Sequence, residues 1–523
     1  MSTSEAGLML GTTVAVLAVI LLITFLIRSR RKNSPPRPPG PRGYPGLVGS
    51  LLSLNPELTT CFTQLANTYG PIFTLKLGRK VGIVISSPEL AQEILKRHDA
   101  TFAYRDMPVV ATETSYGGLN ISWSPYGPEW RMRRKLAGHE ILSKNGLDSV
   151  NALRRREVRL MVKHIYIHSQ AGSPVNVGER IFLTILDILT SMLWGGRHLG
   201  GDERDARRGV ELREVIIKMI ELFSKLNISD FYPQLARFDI QGMHKRMKVL
   251  MRRFDTLFDD MIEQRLKMQD GGGDNIAGEA AGSCKDFLHV LLKLKEEQNG
   301  NEANFTLKHV KALLMDIISG GTESTGNTVE FALAEMMNQP HILRKVQEEL
   351  ETVADKHTVL EETAIQNLPY LRALMKETLR LHPAIPLLLP HRSNSACNVA
   401  GYQIPKGSLV FINAWAIHRD PSTWDNPLEF RPERFLDQYG KLGFCGNDLR
   451  YFPFGSGRRI CAGTAMAERM FTYLVATLVH SFDWKLAPGE KMDLSEQYGL
   501  ISRKKIPLLA IPTPRLSGLR LYE

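Results

Sequence analysis

The segment Phe454-Gly455-Ser456-Gly457-Arg458-Arg459-Ile460-Cys461-Ala462-Gly463 leads straight into an apolar, helix-forming run over 465–482. A chain of this kind has to carry a sulfur to a helix N-terminus, where the macrodipole and free backbone N–H groups favour thiolate over thiol. Gly457 and Gly463 let the backbone approach a flat ligand, and Arg459 can reach an anionic group on it. A buried cysteine after a glycine-rich turn has the same local pattern, so the segment needs company before it means chemistry.

The other cysteines, Cys61, Cys284, Cys397 and Cys445, show no C-x-x-C spacing, which leaves zinc sites and redox pairs aside and suits a reducing compartment. With 523 residues, 43% of them hydrophobic, and no internal repeat, the chain reads as one large body. Its net charge of +11 fits nucleic acid, an anionic membrane or an acidic partner. No zinc finger, basic zipper or RNA-stacking motif accompanies the charge, so nucleic acid is not the expected partner.

Residues 7–27 carry no charge, which matches the roughly 20 helical residues needed to span a hydrocarbon core. Arg28, Arg30, Arg31 and Lys32 follow the run and Glu5 precedes it, an order that keeps the body cytosolic. A cleaved signal peptide has its positive charges first. The expected division is therefore an anchor helix with its basic stop over 1–32, a stiff Pro-rich hinge over 33–46, and a catalytic domain over 47–523. Asn120, Asn227 and Asn304 begin glycosylation sequons, so sugar on any of them would contradict this topology.

Within the body, 72–77 and 81–86 flank Gly78-Arg79-Lys80 as a hairpin, and 399–404 and 408–414 form a second strand-like stretch. The glycine-rich segment 269–282 reads as a surface loop. Most of the remainder has helical periodicity, so the fold class is mainly α with a smaller β region. One helix covers about 306–338, with Val310, Leu313, Leu314, Ile317 and Ile318 in a 3.6 period and Pro340 beyond its end. Gly320 and Gly321 sit in its middle at about 1 kcal/mol each. They mark either close helix packing or a distortion that opens room for a cofactor.

Glu377 and Arg380 lie three apart on one face of a helix over 370–381. Trp130 and Arg134 lie four apart in a basic stretch with Arg131, Arg133 and Lys135. Downstream come Trp424, Pro427, Phe430 and Pro432-Glu433-Arg434-Phe435.

Phe-x-x-Gly-x-Arg-x-Cys-x-Gly, Glu-x-x-Arg, Trp-x-x-x-Arg, Pro-Glu-Arg-Phe and Gly320-Gly321-Thr322-Glu323-Ser324-Thr325 together resemble the cytochrome P-450 superfamily, of the plant-type microsomal kind. The resemblance implies that fold, haem b as cofactor, and Cys461 as the iron ligand. It implies cofactor contacts from Trp130, Arg134, Phe454, Gly457, Arg459 and Gly463, and from either His391 or Arg392. A buried Glu377, Arg380 and Arg434 network would support the haem loop. Glu323, Ser324 and Thr325 would be catalytic, with Ser324 standing where the family usually has threonine.

The resemblance further implies a monooxygenase that consumes O2, with its anchor in the endoplasmic reticulum membrane and its body in the cytosol. No Gly-x-Gly-x-x-Gly lies at a strand-to-helix junction, so electrons come from outside, by resemblance from an NADPH-dependent flavoprotein reductase docking near Arg131 to Lys135 and Arg458. Substrate contacts are expected from 104–123, 223–238, 317–322, 384–389 and 498–502, for a hydrophobic small molecule such as a terpenoid or phenylpropanoid. An isomerase or dehydratase on the same scaffold is the rival enzyme class, and a membrane-tethered binding protein is the rival outside enzymes.

Overall fold

The structure, a computed structural model, describes residues 35–41, 57–195, 203–270, 286–297 and 305–523. The expected anchor, most of the loop over 269–282 and the sequon at Asn304 lie outside the described residues. Among the described residues no helix is long and apolar enough to cross a membrane.

The body is mainly helical, with small sheets. Seven helices frame the site: α1 (Pro128–Leu136), α2 (Val177–Trp194), α3 (Glu203–Ser224), α4 (Leu307–Gly321), α5 (Glu323–Asn338), α6 (Pro369–Leu381) and α7 (Thr464–Ser481). The single helix expected over 306–338 is two, capped at its start by Thr306 and parted at Thr322. Each central glycine has its own reason. A Cβ on Gly321 would lie 3.0 Å from Leu189 on α2 and 3.3 Å from Met466 on α7, whereas one on Gly320 would meet open space. Close packing explains the first and cavity formation the second.

The main sheet has strands β1 (Ile72–Leu77), β2 (Lys80–Ile85), β3 (Tyr104–Arg105), β4 (His391–Arg392) and β5 (Leu409–Ile412), in the order β1-β2-β5-β4-β3. The hairpin around Gly78 forms as the sequence pattern predicts, with Ile72 opposite Ile85. The second strand-like stretch divides. Cys397–Val399 and Tyr402–Ile404 pair with each other across Ala400 and Gly401, both at positive φ, while β5 leaves them to run parallel to β2. In β3 and β4, Arg105 stands opposite His391.

The proline segment does not float as a free spacer over 35–41. The Pro39 carbonyl accepts from Thr74 N–H at 2.7 Å, and the Pro36 carbonyl accepts from Gln403 N–H at 2.9 Å. Two sequon asparagines, Asn120 and Asn227, are buried.

Candidate active site

A cavity of about 330 Å³ opens where α4 and α5 part, between that break and the loop 453–463. Its wall is largely apolar, with Ile216, Met219, Ile220 and Phe223 from α3, Leu313 and Ile317 from α4, and Leu388 and Ile501 from loops. Cys461 lies on the opposite side, and its exposed surface faces the cavity. The cysteine comes just before α7, whose N-cap is Gly463, so the sulfur does sit at a helix N-terminus. Burial pushes its thiol above the usual range, while the Gly463 N–H and Arg134 pull the other way. The Phe454 carbonyl accepts from Cys461 N–H at 2.9 Å, and the Phe454 ring meets Phe444 edge to face.

Three guanidinium groups line the same cavity, and their hydrogen bonds go to backbone carbonyls. Arg459 donates to Ala103, Ile121 and Ser124, Arg134 to Ile460, and Arg105 to Leu389 and Pro390. Arg459 lies 4.6 Å over the Trp130 ring, and the Trp130 Nε1–H donates to Ile121 O at 2.9 Å. Burial and then the neighbouring Arg134 push Arg459 down to about 10, and Arg105 falls for the same two kinds of cause. The His391 Nδ1 meets the Phe102 carbonyl at 2.8 Å, and burial with the facing Arg105 drives its imidazolium well below the usual range.

A low-dielectric cluster of like charge is unfavourable unless anionic groups join it. Arg105, Arg134 and Arg459 line the cavity beside the neutral His391, so this cluster of three cations suits a ligand that carries carboxylates. A haem with two propionates and a thiolate-accepting iron fits that donor set. Arg392, the alternative to His391, does not reach the cavity: successive strand residues face opposite ways, and it points outward, 48% exposed, with Asp106 at 3.8 Å. Gly457 also has a different role from the one its sequence suggests. Its φ is +68°, and a Cβ there would come within 2.3 Å of Leu95 O, so it serves packing against 95–99 rather than approach to a ligand.

At the helix break, Gly320, Gly321, Ser324 and Thr325 line the cavity, with Glu323 set behind them. The Ser324 hydroxyl donates to Gly320 O at 2.8 Å. Glu323 is buried with Oε2 unpartnered, and burial raises its carboxyl to about 7 against the pull of Arg503 and Asn327. Asp316, one turn earlier on α4, also lines the cavity and accepts from Asn120 Nδ2, Ile121 N and Ser122 Oγ. Burial raises it to about 6 despite those donors.

Glu377, Arg380 and Arg434 are fully buried and joined. Arg380 donates twice to Glu377 at 2.7 and 2.9 Å, and Arg434 Nε donates at 3.0 Å. The two arginines also hold the carbonyls of His418, Asp425, Pro427 and Glu429. Because His418 Nε2 takes Phe452 N–H at 3.2 Å, this network fastens the segment that enters the cysteine loop.

The family model for cytochrome P450 matches residues 38–510. The chain belongs to the cytochrome P-450 family. Among its relatives are a flavonoid 3'-monooxygenase of Crocosmia x crocosmiiflora, 37% identical over 96% of this chain and 98% of that one, and one of Petunia hybrida, 36% identical over 95% and 96%. A flavonoid 3',5'-hydroxylase of Crocosmia x crocosmiiflora is 35% identical over 99% and 98%. A zebra fish cytochrome P-450 whose structure is with progesterone shares the fold, with a TM-score of 0.73 and 23% identity over 88% of this chain and 100% of that one. As a member of this family the protein is a cytochrome P-450 monooxygenase, and the family implies haem.

Within this cytochrome P-450, sequence reasoning did not single out Arg105 within the expected stretch 104–123, and it overlooked Asp316 and the α3 residues Ile216, Met219 and Ile220. Asp316 had a visible signal, a lone carboxylate in an otherwise apolar helical period. Arg105 had none, because only the pairing of β3 with β4 brings it opposite His391. The basic face is smaller than its composition suggests. Arg133 is buried and Arg134 turns inward, which leaves Arg131, Lys135 and Arg458 exposed, the last paired with Asp99 at 2.7 Å.

Proposed function

We propose that this cytochrome P-450 is a membrane-anchored enzyme that hydroxylates an aromatic, phenylpropanoid-derived substrate of the flavonoid type. In the net reaction one atom of O2 enters a C–H bond and the other leaves as water. The two electrons come from NADPH through a separate flavoprotein reductase in the endoplasmic reticulum membrane. The observation that carries the reading is the cavity over Cys461, walled by apolar side chains on one side and by three carbonyl-held arginines on the other. The relatives' names favour a phenylpropanoid over a terpenoid.

Cys461 would ligate the iron of haem b, and Arg105, Arg134, Arg459 and His391 would hold its propionates, with Trp130 under Arg459. Phe454 and Gly463 line the pocket beside the sulfur. When bound, thiolate-ligated haem supplies the oxygen-activating chemistry. The chain's own task is positioning and proton delivery. The raised pKa of Glu323 keeps a proton available near neutral pH. The Ser324 hydroxyl, with Thr325 beside it, can pass that proton into the cavity. Serine is less restricted at χ1 than threonine, and its bond to Gly320 O compensates by fixing the hydroxyl.

The test is a reduced, carbon-monoxide-bound spectrum of the purified full chain, followed by turnover of a flavonoid panel with reductase and NADPH. The red-shifted thiolate band and NADPH-dependent hydroxylation are expected, and both vanish in Cys461→Ser. A wild-type protein without that band refutes the haem-thiolate reading. Product formation without NADPH would instead identify an isomerase or dehydratase.

A further inference from the structure

Asp316 is bonded beyond what helix packing requires. Its Oδ1 accepts from Asn120 Nδ2 at 2.9 Å and Ser122 Oγ at 2.8 Å, and its Oδ2 accepts from Ile121 N at 2.5 Å. Three donors from three consecutive residues converge on this one carboxylate and hold 120–122 against α4.

What that segment carries makes the hold matter. The Asn120 Oδ1 accepts from Trp123 N–H at 3.0 Å, and the Trp123 ring stacks on Phe223 at the end of α3, with centroids 5.8 Å apart and planes 4° from parallel. Trp123, Phe223, Leu388 and Leu500 line both the cavity over Cys461 and a second, mainly apolar chamber of about 210 Å³. The stacked pair is thus a partition between two chambers, and its first member is bonded to the residue that Asp316 grips.

We propose that Asp316 is a positioning residue that, through Asn120, Ile121 and Ser122, sets the Trp123–Phe223 partition and so controls how fast an apolar ligand passes between the two chambers. The inference rests on the reading of the first cavity as the substrate site. In Asp316→Asn an amide N–H faces donors that had met a carboxylate oxygen, and the segment loses part of its hold.

The experiment uses the full-length holoprotein and 4-phenylimidazole, an apolar ligand that binds haem iron from the substrate side, followed by stopped-flow absorbance. Asp316→Asn and Trp123→Ala are each expected to speed both association and release by about tenfold, and the double variant is expected to be no faster than Trp123→Ala, as for two residues acting through one element. Asp316→Asn rates within about twofold of wild type, or effects that multiply in the double variant, overturn the proposal. Should Asp316→Asn fail to fold, Asn120→Ala removes the bridge to Trp123 and carries the same expectation. The carbon monoxide band separates the two readings. A wild type lacking the band loses the cytochrome reading, while a normal band with unaltered ligand rates removes only the role of Asp316.

Discussion

Arg380 and Glu377 meet through two hydrogen bonds, at 2.7 and 2.9 Å, with neither side chain reaching solvent. The same carboxylate takes Arg434 Nε at 3.0 Å and Arg431 N–H at 2.8 Å, so one buried anion is shared between two buried cations and also holds the backbone at Arg431. Removing the anion leaves two unpaired charges in the core. Glu377→Gln should cost about 3–5 kcal/mol, measured by urea denaturation, and should lower haem content through the Phe452 connection.

The paired strands β3 and β4 give a contrast between neighbours. Arg105→Leu removes a cavity-facing donor for anionic groups, a loss of about 1.5–3 kcal/mol for a charge-assisted bond. Haem transfer to an acceptor apoprotein should become at least several-fold faster. Arg392→Leu, on the outer face, should change haem loss by less than about 0.5 kcal/mol. Equal effects from the two would refute the placement of His391 and Arg105 as the inward pair.

Glu323 makes stability depend on pH. Burial lifts its folded pKa to about 7, above the unfolded value, so the folded state keeps its proton longer. Its contribution to stability therefore falls as pH rises from the ordinary carboxyl range to about 7, and levels off above it. Glu323→Gln should flatten that slope, gaining on wild type as pH rises through this window. Denaturation midpoints of the two proteins across that range check the sign.

The two central glycines should respond oppositely to alanine. At Gly321 a Cβ meets Leu189 at 3.0 Å and Met466 at 3.3 Å, so Gly321→Ala should cost about 1–3 kcal/mol through overpacking. At Gly320 nothing lies within 4 Å, and Gly320→Ala should stabilise α4 by up to about 1 kcal/mol. Melting temperatures of the two variants decide the matter.

Local signals account for most of what the sequence reveals. The Gly78 hairpin, the cysteine before α7 and the Glu377–Arg380 spacing depend on short-range pattern, and each forms as read. The break at Thr322 leaves no gap in the burial pattern, because α4 buries Val310, Leu313, Leu314, Ile317 and Ile318 and α5 is buried on all sides from Thr328 to Met336, so the apolar run indicates one helix where the backbone has two. Long-range pairing was not legible. Nothing local separates β5 from its neighbouring strands, or tells that Arg105 faces the sulfur's cavity while Arg392 faces water. Asp316 lay between these cases: its oddity in an apolar period is visible, but its three partners lie nearly two hundred positions away.

Arg459 grips Ala103, Ile121 and Ser124 by their carbonyls alone. Every amino acid offers the same carbonyl; Ala103 and Ser124 are fully buried and held by packing, whereas the half-buried Ile121 side chain can differ without unseating the arginine. Ile121 also lines the cavity over Cys461. On the proposed reading of that cavity as the substrate site, new preferences can arise at that position by single exchanges while Arg459 keeps its place.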